Sequence, residues 1–467
     1  PTIQQSNNQT LKQSQQSNNP TIQQSNNPTI QQSNNPNNPN NNFSFYMNHQ
    51  ATLSYARQLD KTDPLRPYRR QFYFPKHQGK DVLYYCGNSL GLQPKGVKEA
   101  LEKEVMHWRE HAVEGHFRGE MPWMYYHKFL LPQSARLVGA KESEVVVMNT
   151  LTTNLHLLMV SFYRPSQKRY KIIMEAGAFP SDQYAMESQV RWHGFDPEAA
   201  IVEVAPRPGE HTLRTEDIEA VIQQHGDSVA TVMFGGVNYY TGQFFDLEKI
   251  TAAGHAVGAS VGFDLAHTVG NLPLQLHDWG VDFACWCSYK YLNSGPGGPS
   301  GVFVHERHGN HPGLPRFAGW WGHDEGSRFL MKKGFIPMQG AAGWQLSNAQ
   351  VFSFAAHKVS LDMFDQAGME ALREKAVKMT AFLEFLIENL NRGQKRFNII
   401  TPKNPAERGC QLSMLTGAEG KQLFDFLSEN GVVADWREPN VIRVAPVPLY
   451  NSFEDCWKLA DLLGKFG

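Results

Sequence analysis

Cysteine is scarce, charge is balanced and long apolar runs are missing, and each shortage excludes a class of protein. The five cysteines form no CxxC pair and no Cys/His ligand spacing, so neither a disulfide scaffold nor a metal site is expected. Cys285 and Cys287 would share one face of a strand, and they read as buried thiols of a reducing compartment. Forty-four basic residues stand against 45 acidic ones, for a net charge of −1. That balance gives no electrostatic footprint for nucleic acid or an anionic membrane surface. No apolar stretch approaches the roughly 18 residues of a membrane span, and no charged-then-apolar leader opens the chain. A soluble, cytoplasmic protein is expected. Its 467 residues suffice for one or two full cores.

Residues 1–46 have few apolar positions. "TIQQSNN" begins at Thr2, Thr21 and Thr29, and the run decays into "NNPNNPNNN". Such a segment cannot bury enough surface to offset its ordering entropy, so disorder is expected. The repeats are too short and too polar for a solenoid. The first methionine is Met47. The natural start is expected there, with a solvated Gln/Asn tail as the alternative.

The remainder divides into an N-terminal segment (47–95), a large domain (96–345) and a small α+β domain (346–467). "KGVKEALEKEVMHWREHAV" reads as an amphipathic helix with Val97, Leu101, Val105 and Trp108 on one stripe. "VVVM", at 145–148, is a short apolar strand followed by a polar turn and an apolar helix. "RYKIIMEAGAFPSDQYAMESQV" repeats strand, turn and helix, and "VATVMFGG", "ASVGFD", "DFACWC" and "SGVFV" add further strands. Strands alternating with helices at this spacing predict parallel α/β units. From Ser347 to Asn391 the pattern is one long helix.

Four stretches of the α/β part can carry chemistry. "NTLTTNLH" follows a strand and opens a helix, where Thr152 and Thr153 would offer hydroxyls and backbone N–H groups to a phosphate; an ordinary N-cap reads the same way. "AFPSDQYA" puts Phe179 at a strand end beside Ser181 and Asp182, where a flat ring could stack or the phenyl could simply pack. "GFDLAHTVGN" ends a buried strand on Asp264, with His267 three residues on. A carboxylate there needs a partner, either local backbone or a protonated ring nitrogen. "SYKYLNSGPGG" sets Lys290 after an apolar strand. A buried lysine has a depressed pKa and serves as a Schiff-base nucleophile, whereas a surface lysine would snorkel to water.

Taken singly each stretch is ambiguous; their order is not. A phosphate cup, a ring face, a carboxylate and a lysine follow one another, each at the carboxyl end of a different parallel strand, the edge where open α/β sheets bind ligands. That set matches pyridoxal 5′-phosphate, with Lys290 as its covalent anchor.

"YYCGNSLGLQP", "FPSDQYA", "YYTGQ", "LHDWGVDFACWCSYKYLNSGPGG", "GWWGH" and "IRVAPVPLYNSF" carry a further signal. From about residue 51 onward the chain resembles the kynureninase family, pyridoxal-phosphate enzymes of fold type I in the aspartate-aminotransferase superfamily. The resemblance implies a mainly parallel seven-stranded sheet flanked by helices, with a smaller C-terminal α+β domain. It implies Lys290, Tyr289 and Asp264 as catalytic residues. It implies cofactor contacts from Leu151, Thr152, Phe179, Pro180, Ser181, Asp182, Gly235, Asp264, His267, Tyr289 and Lys290. Trp320 and Asn348 match residues that reach the cofactor from a partner subunit, which implies a homodimer with shared sites. Ser89, His116 and Asn348 match the aryl pocket, and Arg443 matches the clamp on the substrate α-carboxylate. Gly235 departs from relatives that carry a serine there. A lost hydroxyl contact implies lower cofactor affinity, or a water in its place.

The family reaction is hydrolytic Cβ–Cγ cleavage of L-kynurenine or 3-hydroxy-L-kynurenine to anthranilate or 3-hydroxyanthranilate and L-alanine, in tryptophan catabolism and NAD biosynthesis. Rival readings are a desulfurase-like relative, a scaffold with a dead cofactor site, and an interaction role for the Gln/Asn tail. A desulfurase would need a mobile-loop cysteine, and Cys410 lies instead in apolar "GCQLSML".

Overall fold

The computed structural model of the chain describes residues 49–311, 313–392 and 396–466. The Gln/Asn-rich repeat and the expected start at Met47 lie outside the described residues.

Seven strands form the main sheet: β1 Val145–Met148, β2 Lys171–Glu175, β3 Ile201–Val204, β4 Val229–Gly235, β5 Ser260–Asp264, β6 Phe283–Cys287 and β7 Ser300–Val304. Their spatial order is β1-β7-β6-β5-β4-β2-β3. β7 is antiparallel to both of its neighbours, and the other pairings are parallel. The two reversals cancel, so β1 points the same way as β2 to β6. Helices cover both faces, which is why β1, β6 and β7 are buried at every position and read as unbroken apolar runs. The five cysteines are free thiols and all are buried.

The helices that matter for the site are α1 Gly96–His111, α2 Leu151–Phe162, which follows β1, and α3 Pro180–Trp192, which follows β2. The predicted single helix after Ser347 is two, α4 Val351–Ala367 and α5 Met369–Leu390. Gly368 between them has φ +76°, a left-handed conformation that ends α4 and that a glycine adopts without steric cost.

A second sheet has four strands, β8 Phe397–Ile399, β9 Leu412–Thr416, β10 Asp435–Arg437 and β11 Val441–Val444, in the antiparallel order β8-β9-β11-β10. Its apolar face packs on α5 through Leu383, Leu386, Met414 and Ile442. The segment before α1 bonds to chain beside each sheet. Leu83–Tyr84 runs parallel to Val432–Val433, and the Gly91 N–H then donates to the Tyr289 carbonyl at 2.8 Å.

The stripe predicted on α1 exists but does not enter this core. Val105 and Trp108 are more than half exposed, while Glu104 is the buried residue of the helix and accepts from Trp123 Nε1 and Tyr126 Oη. The Trp108 ring lies 6.3 Å from Phe352 of α4, which is also exposed.

Strand β7 has little spare room. Gly301 pairs with Trp286 of β6, and a Cβ on Gly301 would stand 2.1 Å from the indole. Gly301→Ala should therefore destabilise the protein by about 1–3 kcal/mol through overpacking. Thermal unfolding checks this; an unchanged midpoint would mean that the indole has space to retreat.

Candidate active site

The carboxyl edge of the main sheet holds a cavity of about 300 Å³. It is lined by the ends of β2, β4 and β5 and by the turns that follow β1, β2, β4, β5 and β6.

After β1 the chain turns through Asn149, at φ +46°, into α2. Thr150 takes the N-cap position without a side-chain cap, which leaves the first N–H groups of α2 available. Thr152 Oγ1 meets Ser181 Oγ of α3 at 2.7 Å. Two helix N-termini and two hydroxyls thus converge at one end of the cavity, an arrangement suited to an anion. Thr153, expected beside Thr152, instead pairs with Thr150 at 3.2 Å on the exposed side of the turn. Leu151 lines the cavity; Pro180 starts α3 and shapes its first turn without lining it.

Phe179 directly precedes α3 and is 40% exposed, with its ring edge-on to Tyr239 at 5.3 Å. Lys290 Nζ stands 5.7 Å from the centre of the Phe179 ring. Lys290 and Tyr289 are half-buried, so the lysine is not the fully buried group expected; it reaches into the cavity from the turn after β6. Burial, then the neighbouring Cys287 thiol, raises the Tyr289 phenol, which keeps its proton at neutral pH.

Three carboxyl groups face that one lysine. Asp264, at the end of β5, accepts the Ala266 N–H at 2.8 Å. Burial raises Asp264 and, more strongly, its neighbour Asp182. Lys290 and the Ala266 N–H favour charge on Asp264, so Asp182 is the partner that keeps a proton. The third is Glu175, the last residue of β2, pushed up to about 7 by burial while its oxygens accept the Gly235 N–H at 3.1 and 3.2 Å. A Cβ on Gly235 would lie 2.9 Å from Glu175 Oε1. The place of the serine hydroxyl is therefore bordered by a carboxyl group. Glu175 and Tyr239 were not anticipated, although a Glu ending the apolar run "KIIME" is the same signal that marked Asp264. His267 lines the cavity with Nδ1 unpartnered, and burial, then Lys290, holds it well below the usual imidazole range.

The remaining predicted residues lie outside the cavity lining. Arg443, on β11, is buried behind Tyr239 and donates to its carbonyl. Ser89 donates to Asp435, the same carboxylate that pairs with Arg443. His116 faces Trp123, ring centres 5.3 Å apart, with Nδ1 3.0 Å from the Val113 carbonyl. Trp320 is 48% exposed and donates to the Arg328 carbonyl, and Asn348 is exposed ahead of α4. Cys410 is fully buried beside β9, not on an open loop. Among the described residues, Glu144, His277 and His305 gather at the opposite edge of the sheet. Both Glu144 oxygens already accept backbone N–H groups, from Lys141 and Glu306.

Comparison with known proteins gives a consistent result. The family model described as "Kynureninase C-terminal domain" matches residues 372–463. A kynureninase of Flavobacterium psychrophilum is 56% identical over 417 residues, 89% of this chain and 98% of that protein. One of Myxococcus xanthus is 56% identical over 411 residues, 88% of this chain and 96% of that protein. Among solved structures, a cysteine desulfurase from Thermococcus onnurineus NA1 matches with a TM-score of 0.69 at 16% identity, covering 88% of this chain and 97% of that one. A C-DES mutant with glycine covalently linked to its PLP cofactor matches with a TM-score of 0.70 at 17% identity, covering 85% and 99%. At such identity the two structures speak for the fold alone.

Glu175 links the site to pH. Burial pushes its carboxyl up from the ordinary 4.5 to about 7, so its contribution is fully present at low pH and is lost as pH rises through 7. Glu175→Gln removes that loss. The variant should gain about 2–3 kcal/mol on the parent at pH 8 relative to pH 5. Denaturant unfolding at the two pH values checks this, and a pH-independent difference would mean that Glu175 titrates normally.

Proposed function

The chain belongs to the kynureninase family, and from that premise we propose that it hydrolyses L-kynurenine or 3-hydroxy-L-kynurenine at the Cβ–Cγ bond with pyridoxal 5′-phosphate held in the β-edge cavity. The observation that carries the reading is the convergence on one cavity of Lys290, Asp264, Tyr289 and the paired helix N-termini of α2 and α3.

The residues present fit that cofactor. Lys290 would hold its aldehyde and Asp264 its ring nitrogen. Phe179 and His267 would flank the ring, and Thr152, Ser181 and the free N–H groups of α2 would take the phosphate. The unpartnered Nδ1 of His267 and Oδ1 of Asp182 are buried polar atoms that call for a polar ligand. When bound, pyridoxal phosphate supplies an electron sink for charge developing at the substrate Cα. The rest is done by side chains. Arg443 orients the α-carboxylate with a guanidinium fork. The Lys290 amine takes the Cα proton. Water adds at the γ-carbonyl, the Cβ–Cγ bond breaks, and the aromatic acid and L-alanine leave. Tyr289, protonated at neutral pH, serves as the general acid toward the carbonyl or Cβ.

The active form in this reading is a homodimer. Trp320, Asn348 and His116 stand apart from the cavity of their own chain, and the exposed apolar face of α1 and α4 supplies a surface to bury. Those three residues then complete the neighbour's site, with Ser89 added from the same chain. His116 and Asn348 favour the hydroxylated substrate, because a polar pocket discriminates strongly for a hydroxyl. The small domain begins near residue 346. Among the described residues no helix is long and apolar enough to cross a membrane, and five buried free thiols suit the cytoplasm.

Steady-state rates with both substrates test the reading. Release of the aromatic acid should be measurable with each, with the higher kcat/KM for the hydroxylated one, and Lys290→Ala should abolish it. Turnover in Lys290→Ala would move the chemistry to another lysine. Activity should also fall on dilution in step with dimer dissociation measured by sedimentation; a fully active monomer would contradict the shared site.

A further inference from the structure

Arg443 is already engaged. Its Nη2 donates to Asp435 Oδ2 at 2.5 Å and its Nη1 to the Tyr239 carbonyl at 2.5 Å. The residue is 1% exposed, and Nε has no partner. The contact is built into the sheet, because Asp435 on the edge strand β10 is the cross-strand partner of Arg443 on β11. Asp435 also has other donors. Ser89 Oγ and Arg437 Nη2 each donate to Oδ2 at 3.2 Å, and Arg437 Nε stands 2.9 Å from Oδ1 as an ion pair. Arg437 is the solvent side of this cluster, its side chain 34% exposed against 1% for Arg443.

A carboxylate grips a guanidinium through two parallel N–H bonds on one edge. Nη2 belongs to both edges that offer such a pair, and Asp435 holds it. A second anion on the same guanidinium would stand beside the Asp435 carboxylate in a buried site, where like charges repel strongly. Either Asp435 yields, or the substrate carboxylate binds at a discount. Arg437 gives Asp435 somewhere to go, since its guanidinium already reaches both carboxylate oxygens and faces solvent.

We propose that Asp435 is an internal competitor for the substrate α-carboxylate. It occupies Arg443 in the free enzyme and passes to Arg437 when the substrate arrives. This rests on Arg443 being the carboxylate clamp. Asp435 then sets carboxylate affinity, because only the fraction of molecules with Arg443 released can take the ligand. A residue that merely positioned Arg443 would act with the opposite sign, since its removal would loosen the carboxylate.

The sign is measurable on the cofactor-loaded dimer, using the visible spectrum to titrate L-alanine, the amino-acid product, and L-alaninamide, which lacks the carboxylate. Asp435→Asn should bind L-alanine roughly three- to tenfold more tightly and L-alaninamide as before. Arg437→Gln, which removes the refuge, should weaken L-alanine. Asp435→Ser repeats the first measurement should the asparagine variant fold poorly. Weaker or unchanged L-alanine binding in the Asp435 variants overturns the competitor, as does equal tightening of both ligands. Arg443→Leu tests the premise separately. If Arg443 is the clamp, this variant loses its preference for L-alanine over L-alaninamide; a retained preference puts the clamp elsewhere and removes the proposal with it.

Discussion

An excess of buried acid at one sheet edge is the constraint on which the rest of the site depends. Glu175, Asp182 and Asp264 come within reach of one another at the ends of β2 and β5 and the start of α3, with Lys290 as the cation that lines the same cavity. Anions out of water are costly unless protonated or paired. Two of the three are eased by protonation, through the shifts of Asp182 and Glu175. The third, Asp264, keeps one backbone donor and the field of Lys290. A protonated pyridine ring would supply the missing positive charge, and a ring held in that state is the one that accepts electrons.

The parallel sheet makes this arrangement possible. Each strand delivers one functional group to the same edge, and the helix that follows turns its positive end back to it. Because β1 to β6 point one way, Thr152, Ser181, Asp264 and Lys290, separated widely in sequence, line or border one cavity. The segment 76–91 runs parallel to Val432–Val433 and then bonds to Tyr289, so the loop carrying Ser89 is fixed at both ends.

How much of this was legible follows from what each signal encodes. The bounds of β1 and the helix after it were readable because a fully buried strand leaves an unbroken apolar run and a polar turn must follow. The reversal of β7 was not, since side-chain period says nothing about strand direction. The break at Gly368 hides in a helical pattern that continues on both sides. Of the two threonines only Thr152 lines the cavity, which the phase of α2 decides. Glu175 ends an apolar run as Asp264 does, but its place beside Gly235 joins residues 60 apart in sequence and follows only from strand order. The Asp435–Arg443 contact depends on antiparallel register within a hairpin, and one residue of slip would have aimed Asp435 at the other face. The α1 stripe shows the limit most plainly: an apolar face predicts burial but not whether the cover is the same chain.

The central claim is that Lys290 is where the cofactor attaches. Borohydride reduction of the cofactor-loaded protein fixes the linkage, and peptide mapping by mass spectrometry finds the modified lysine. The account predicts a single pyridoxyl group on the peptide containing Lys290. A label on any other lysine, or none on a fully active enzyme, would contradict it.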